Sequence, residues 1–76
     1  GRIQVTLLNE AGALAALTTI IAQQAGNISY MQISKRTSDF FTLLLDVDVA
    51  NLSQLKSIIV VVRTNQYVES VERVMI

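Results

Sequence analysis

Asp46 and Asp48 are separated by one residue, so on an extended segment both carboxylates point to the same side. Such a pair can hold a hard cation or share a proton. Here it has no help. The chain contains no histidine and no cysteine, which removes the commonest general base, imidazole and thiolate metal ligands, and any disulfide. No third carboxylate lies nearby, and there is no nucleophile–base pair or phosphate-cradling glycine run. The pair reads as a solvated strand face, with no catalytic residue, no metal site and no cofactor expected. Two short loops stand beside it, Asn9-Glu10-Ala11-Gly12-Ala13-Leu14 and Gly26-Asn27-Ile28, the second of which reads from its residues as a helix stop. The first opens a helix, where unpaired amides and the helix dipole favour an anion.

Positioning those loops requires a particular set of elements. Arg2 to Leu7 alternates polar and apolar, with Ile3, Val5 and Leu7 on one face: a strand buried on one side. The helix that follows runs from Ala13 to Ala25, with Leu14, Leu17, Ile21 and Ala25 as its apolar stripe and Ile20 beside them. Asn9 is placed to cap it, Glu10 suits its positive end, and Gly26-Asn27 stops it. Ile28 to Lys35 forms a second strand with Met31 and Ile33 facing one way and Tyr30, Gln32 and Ser34 the other. A short polar connection leads to Phe40–Val49, the most apolar strand, whose core face is Phe41, Leu43, Leu45, Val47 and Val49. Asn51, with Gln54 three residues on, opens a second helix striped by Leu52, Leu55, Ile59 and Val62, flanked by Ile58 and closed near Asn65. Val68 to Ile76 is a last strand with broken alternation: Val71 and Met75 share one parity, Val68, Val74 and Ile76 the other. That break predicts a bulge or shifted start.

Each helix has a single apolar stripe, so both must cover one face of a four-stranded sheet. Right-handed crossovers then give an α+β, ferredoxin-like βαββαβ arrangement with an antiparallel sheet whose second and fourth strands lie at the edges.

The chain of 76 residues, 51% of them apolar and 16% charged, has room for one domain with a thin core. Six basic residues balance six acidic ones, which does not favour a polyanionic partner. No apolar run approaches a membrane span, and the expected compartment is cytoplasmic. The start, Gly1-Arg2-Ile3, is no signal peptide and lacks an initiator Met, so residues 1–76 are expected to be one domain of a larger protein. Val60 and Val61 lie off the second helix's stripe, and Phe40 and Leu44 lie on the outer sheet face with Tyr30 and Gln32. These six residues are the expected partner surface.

At their spacing, the two loops resemble those of the ACT domain family, and the likeness covers nearly the whole chain. Within that family the chain is most similar to the C-terminal ACT domain of RelA/SpoT-type GTP pyrophosphokinases, which make and hydrolyse (p)ppGpp. The residues that carry this are Arg2-Ile3, Val5-Thr6, Asn9-Glu10, Gly12-Ala13-Leu14-Ala15 and Asp39-Phe40. The family's usual Pro is Ala11 here, which leaves the first loop less rigid.

The resemblance implies a non-catalytic regulatory domain. It would sense a small ligand, an amino acid, at a subunit interface and modulate catalytic domains elsewhere in a stringent-response enzyme. The ligand residues it implies are Asn9, Glu10, Ala11, Gly12, Ala13 and Leu14 from one subunit, with Gly26, Asn27 and Ile28 from its partner. Plain structural roles stand beside these: Gly12 for close packing, Asn9 for capping, Gly26-Asn27 for stopping the helix. Alternatively, the domain dimerises or docks, within the parent or on a ribosome, with no small ligand. An RNA-binding sheet of the same element order needs a basic-Gly-aromatic third strand, which Phe40-Phe41-Thr42-Leu43 lacks.

Overall fold

The computed structural model describes residues 1–75. Its elements follow the order read from the sequence: β1 (Arg2–Leu8), α1 (Ala13–Gln23), β2 (Asn27–Arg36), β3 (Phe40–Asp48), α2 (Leu52–Arg63) and β4 (Val68–Val74). The strands form one antiparallel sheet in the order β2-β3-β1-β4, with both helices on one face. β1 and β3, the central pair, carry the strictest alternation because only they are covered along their whole length. Ile3, Val5 and Leu7 oppose Leu45, Leu43 and Phe41 and are buried with them under the helices. The other face of the sheet is open.

The broken alternation at the end of the chain is a bulge. Thr6 pairs Ser70 but Leu7 pairs Val68, so Glu69 is the extra residue. It brings Val68 and Val71 onto the core face despite their opposite parities. Ile76 lies outside the described residues. β2 carries two such irregularities, between Ile28 and Tyr30 and between Ile33 and Lys35. The first turns Ile28 towards the core along with Met31. Ile33 faces the helix side opposite Leu43 but stays 46% exposed, because this edge strand runs beyond the cover of the helices.

The helices are rotated slightly from the stripes expected. In α1 the buried residues are Ala13, Leu17 and Ile21, four apart, with Ile20 packed beside them. Leu14, expected in the stripe, sits about 100° around the helix from Ala13 and is 39% exposed. In α2 Leu55, Ile58 and Val62 are buried, Ile59 is half-buried, and Leu52, in the first turn, is exposed.

The helix ends also differ from expectation. α1 stops at Gln23, and the left-handed closing residue is Ala25 (φ 61°), not Gly26 or Asn27. The Gly26 amide bonds the Ile21 carbonyl at 3.0 Å and the Ala25 amide the Ala22 carbonyl at 3.0 Å, a complete Schellman closure. Gly26 is needed for space: a Cβ there would lie 2.9 Å from Ile21 Cγ2 and 3.0 Å from both Ile58 Cδ1 and Val47 Cγ1. α2 begins as expected. The Asn51 side chain accepts from the Gln54 amide at 2.9 Å, while Gln54 Oε1 accepts from the Ala50 amide at 2.7 Å. Gln54 Nε2 then donates to the carbonyls of Gln24 and Ala25, at 3.2 and 3.1 Å, so one side chain starts α2 and ties down the end of α1.

Candidate functional site

The β1–α1 loop is shaped by backbone contacts. The Glu10 amide bonds back to the Leu8 carbonyl at 2.8 Å, and the Ala13 amide reaches the Glu10 carbonyl at 3.2 Å. Gly12, with φ 86°, is the residue that caps α1, and its carbonyl accepts from the Ala16 amide at 2.9 Å. Asn9 is therefore not the cap. Its amide donates to the Asp39 carbonyl at 2.8 Å, and its side-chain nitrogen lies 3.3 and 3.5 Å from the Ser38 and Thr37 carbonyls, pinning the loop to the β2–β3 turn. With no side chain capping α1, the amides of Leu14 and Ala15 have no protein acceptor among the described residues. Asn9, Glu10, Ala11, Gly12 and Leu14 are exposed. Ala13 is fully buried, so its side chain serves the core, and its amide is already taken by the Glu10 carbonyl.

Tyr67, which no sequence pattern singles out, borders this loop. Its carbonyl accepts from the Leu8 amide at 2.8 Å, and its hydroxyl would lie 3.9 Å from a Cβ on Gly12. The Asn65 side chain, accepting from the Tyr67 amide at 2.9 Å, sets the turn that places it. The space beside Gly12 is otherwise open.

Gly26, Asn27 and Ile28 sit at the far end of α1. Gly26 is wedged against the core, Asn27 Nδ2 bonds Asp48 Oδ2 at 3.2 Å, and Ile28 opposes Val47 half-buried. The 11 residues of α1 separate the two loops by roughly 16 Å. One chain therefore does not bring the two sets of candidate ligand residues together.

The expected partner residues fall on two sides of the molecule. Tyr30, Gln32, Phe40 and Leu44 lie on the open sheet face, where the Tyr30 hydroxyl donates to Gln32 Oε1 at 2.7 Å and Phe40 and Leu44 are half-buried. Val60, 59% exposed, and half-buried Val61 line a shallow depression on α2 with Ser53, Lys56 and Ser57. Asp46 and Asp48 do not act as a pair. Asp46 is bound by Arg2 at 2.7 and 3.0 Å and Asp48 by Asn27. The Arg2 hydrogen bonds hold the Asp46 carboxyl below its usual range, and the same contact raises Arg2. Among the described residues no three His, Cys, Asp or Glu side chains cluster to hold a metal. Among the described residues no helix is long and apolar enough to cross a membrane.

Comparison with known proteins agrees with this geometry. Residues 1–73 match the family model for the ACT domain. The chain is 33% identical over 73 residues to GTP pyrophosphokinase rsh of Brucella abortus (strain 2308), with the match covering 96% of this chain and 10% of the relative. The same protein of Brucella melitensis matches at the same identity and coverage. The chain thus spans about a tenth of the length of the curated relatives it matches. Among solved structures, the ACT domain from GTP pyrophosphokinase of Chlorobium tepidum superposes with a TM-score of 0.81 at 25% identity, covering 96% of this chain and 94% of that one. The C-terminal domain of the MgtC protein from Mycobacterium tuberculosis shares the fold at 14% identity, with a TM-score of 0.70 and coverage of 93% and 80%. With its βαββαβ order, its glycine-opened first helix and a family match over nearly its whole length, this chain belongs to the ACT domain family.

Proposed function

We propose that the chain is the non-catalytic regulatory domain of a cytoplasmic, stringent-response GTP pyrophosphokinase that makes or hydrolyses (p)ppGpp. In this reading it senses an amino acid at an interface between two copies. The observation that carries the ligand half of the reading is Gly12. Its positive φ needs glycine, the space beside it is open, and the Leu14 and Ala15 amides next to it lack acceptors. An amino-acid carboxylate suits those amides, with Asn9 and Glu10 at the rim. Because Gly26, Asn27 and Ile28 lie at the other end of α1, they reach such a ligand only from a second copy laid alongside. The ligand would then favour one arrangement of the pair over another, which is what allosteric control requires.

A second reading is a docking or dimerisation module with no small ligand, contacting other domains of the parent or a ribosome. The exposed Val60 on α2 and the replacement of the family's loop Pro by Ala11 favour it. An amide-resolved NMR titration with the common amino acids, with solution mass measured alongside, separates the two. Saturable shifts at Gly12, Leu14 and Asn27 for one preferred amino acid support the sensor. A paired domain that responds to none of them supports docking.

A further inference from the structure

Two irregular edge strands aim opposite charges at the same row of the open sheet face. Thr6 on β1 and Thr42 on β3 stand side by side there, their hydroxyl oxygens 3.1 Å apart. Both are short, so they floor a depression of about 270 Å3 bordered by Phe40 and Thr37, with Lys35 on the β2 side and Glu69 on the β4 side. On β2 the register shifts between Ile33 and Lys35, so that Lys35 and not Ser34 stands opposite Thr42. On β4 Thr6 pairs Ser70 and Leu7 pairs Val68, which leaves Glu69 out of the ladder. With regular pairing each of these charges would turn to the helix side. A bulge disrupts the ladder and re-aims a side chain, and here two of them aim at one place.

The other charges on this face are held elsewhere or add to one edge. Arg2 and Asp46, two rows away, satisfy one another and form the only ion pair among the described residues. Asp48 is bound by Asn27, about 20 Å along β3 from Thr42. Glu72 stands beside Gln4 on β4, so the acidic excess of the face lies along the same edge as Glu69. Lys35 and Glu69 are exposed and have no ion-pair partner among the described residues. The depression is therefore dipolar, cationic at β2 and anionic at β4, with hydroxyls between them that donate or accept.

We infer that this depression binds a free dipeptide, with its carboxylate at Lys35 and its ammonium at Glu69. Three strand spacings, about 14 Å, separate the two edge backbones. Side chains stand roughly perpendicular to a sheet, so the two charges keep about that separation. An extended dipeptide is about 7 Å long, and a charge-assisted hydrogen bond of about 3 Å at each end brings the span to about 13 Å. A single amino acid carries both charges on one α-carbon and reaches one edge only, while a tripeptide of about 10 Å overshoots. The peptide group then lies over Thr6 and Thr42, whose hydroxyls serve its N–H and C=O, and Phe40 offers an apolar wall to one side chain. The site lies on the opposite side of the sheet from the helices, and so stands independently of the amino-acid reading.

Amide-resolved NMR titration of the 76-residue chain with dialanine tests the inference, beside N-acetylated and C-amidated dialanine, free alanine and trialanine. Dialanine should give saturable shifts at Thr6, Thr42 and Ser70, and blocking either end should weaken binding at least about threefold. Lys35 and Glu69 are both exposed, so circular dichroism should show Lys35→Gln and Glu69→Gln folded. Lys35→Gln should weaken dialanine and leave the C-amidated form unchanged; Glu69→Gln should weaken dialanine and leave the N-acetylated form unchanged. No saturable shift at Thr6 and Thr42, blocked forms or alanine binding as tightly as dialanine, or a variant that weakens every form alike overturns the inference. So do shifts on that row that follow chain concentration and not peptide, which would mean that a second copy covers the face. Shifts confined to Gly12, Leu14 and Asn27 overturn it and support the amino-acid sensor. Dialanine binding at Thr6 and Thr42, with no free amino acid moving Gly12, leaves it standing and removes the sensor reading.

Discussion

Arg2 and Asp46 lie 44 residues apart in the chain yet sit directly opposite one another on β1 and β3, joined by two hydrogen bonds from one guanidinium to one carboxylate, at 2.7 and 3.0 Å. Such a fork fixes register as well as charge, because a shift of one residue would carry Asp46 to the core face. It is also the most specific contact on the open side of the sheet.

The pair makes stability depend on acid. The Arg2 hydrogen bonds lower the folded-state pKa of Asp46 below its ordinary value. This contribution is fully present above the ordinary carboxylate pKa and is lost as pH falls through the lowered folded value. Urea unfolding of wild type and Arg2→Met at neutral and strongly acidic pH should show the difference between them shrinking in acid. A difference that does not change with pH would mean that the pair contributes packing alone.

The junction of α1 and β2 predicts two neighbouring substitutions of opposite sign. Ala25 holds a left-handed conformation that suits glycine, so Ala25→Gly should stabilise the fold by about 0.5–1 kcal/mol. Gly26→Ala should destabilise it by about 1–3 kcal/mol, because the new methyl meets the branched Ile21 and Val47 side chains at 3.0 Å or less. Thermal and urea melts of both variants check the order.

Gln54 serves both helix ends, so its loss should exceed that of a simple cap. Asn51→Ala removes one capping bond and should cost about 1 kcal/mol. Gln54→Ala removes the Ala50 bond and both bonds to α1, and should cost about 1–2 kcal/mol. Amide exchange should quicken at Ala25 and Gly26 in the Gln54 variant and stay unchanged there in the Asn51 variant.

Gly12 separates backbone strain from crowding. A Cβ there has room, with Tyr67 Oη 3.9 Å away, so the cost of substitution comes from φ 86°. Gly12→Ala should lose about 1–2 kcal/mol, and Gly12→Asn less, since Asn enters the left-handed region more readily. Equal losses in denaturant melts would point to crowding instead.

The order of elements, the antiparallel sheet with β2 and β4 at its edges, and the Asn51–Gln54 start of α2 were legible in the sequence, because period, helix-start chemistry and crossover handedness are local or nearly local properties. The irregular parity of Val68, Val71 and Val74 signalled a bulge or a shifted start, and strand pairing made it a bulge at Glu69. Tertiary packing decided the rest. Which turn of α1 faced the sheet depended on the docked angle of the helix, so small Ala13 was buried and large Leu14 was left at the rim. Gly26 looked like a helix stop, yet its need for space arises from Ile58 and Val47, far along the chain. Asn9 looked like a cap until the β2–β3 turn supplied carbonyls for it, and Tyr67 came to border the Gly12 loop through its backbone bond to Leu8, which no local pattern encodes. The sequence marked both candidate loops by residue type. Their placement at opposite ends of α1 follows from the helix lying between them, and so any site built from both needs a second copy.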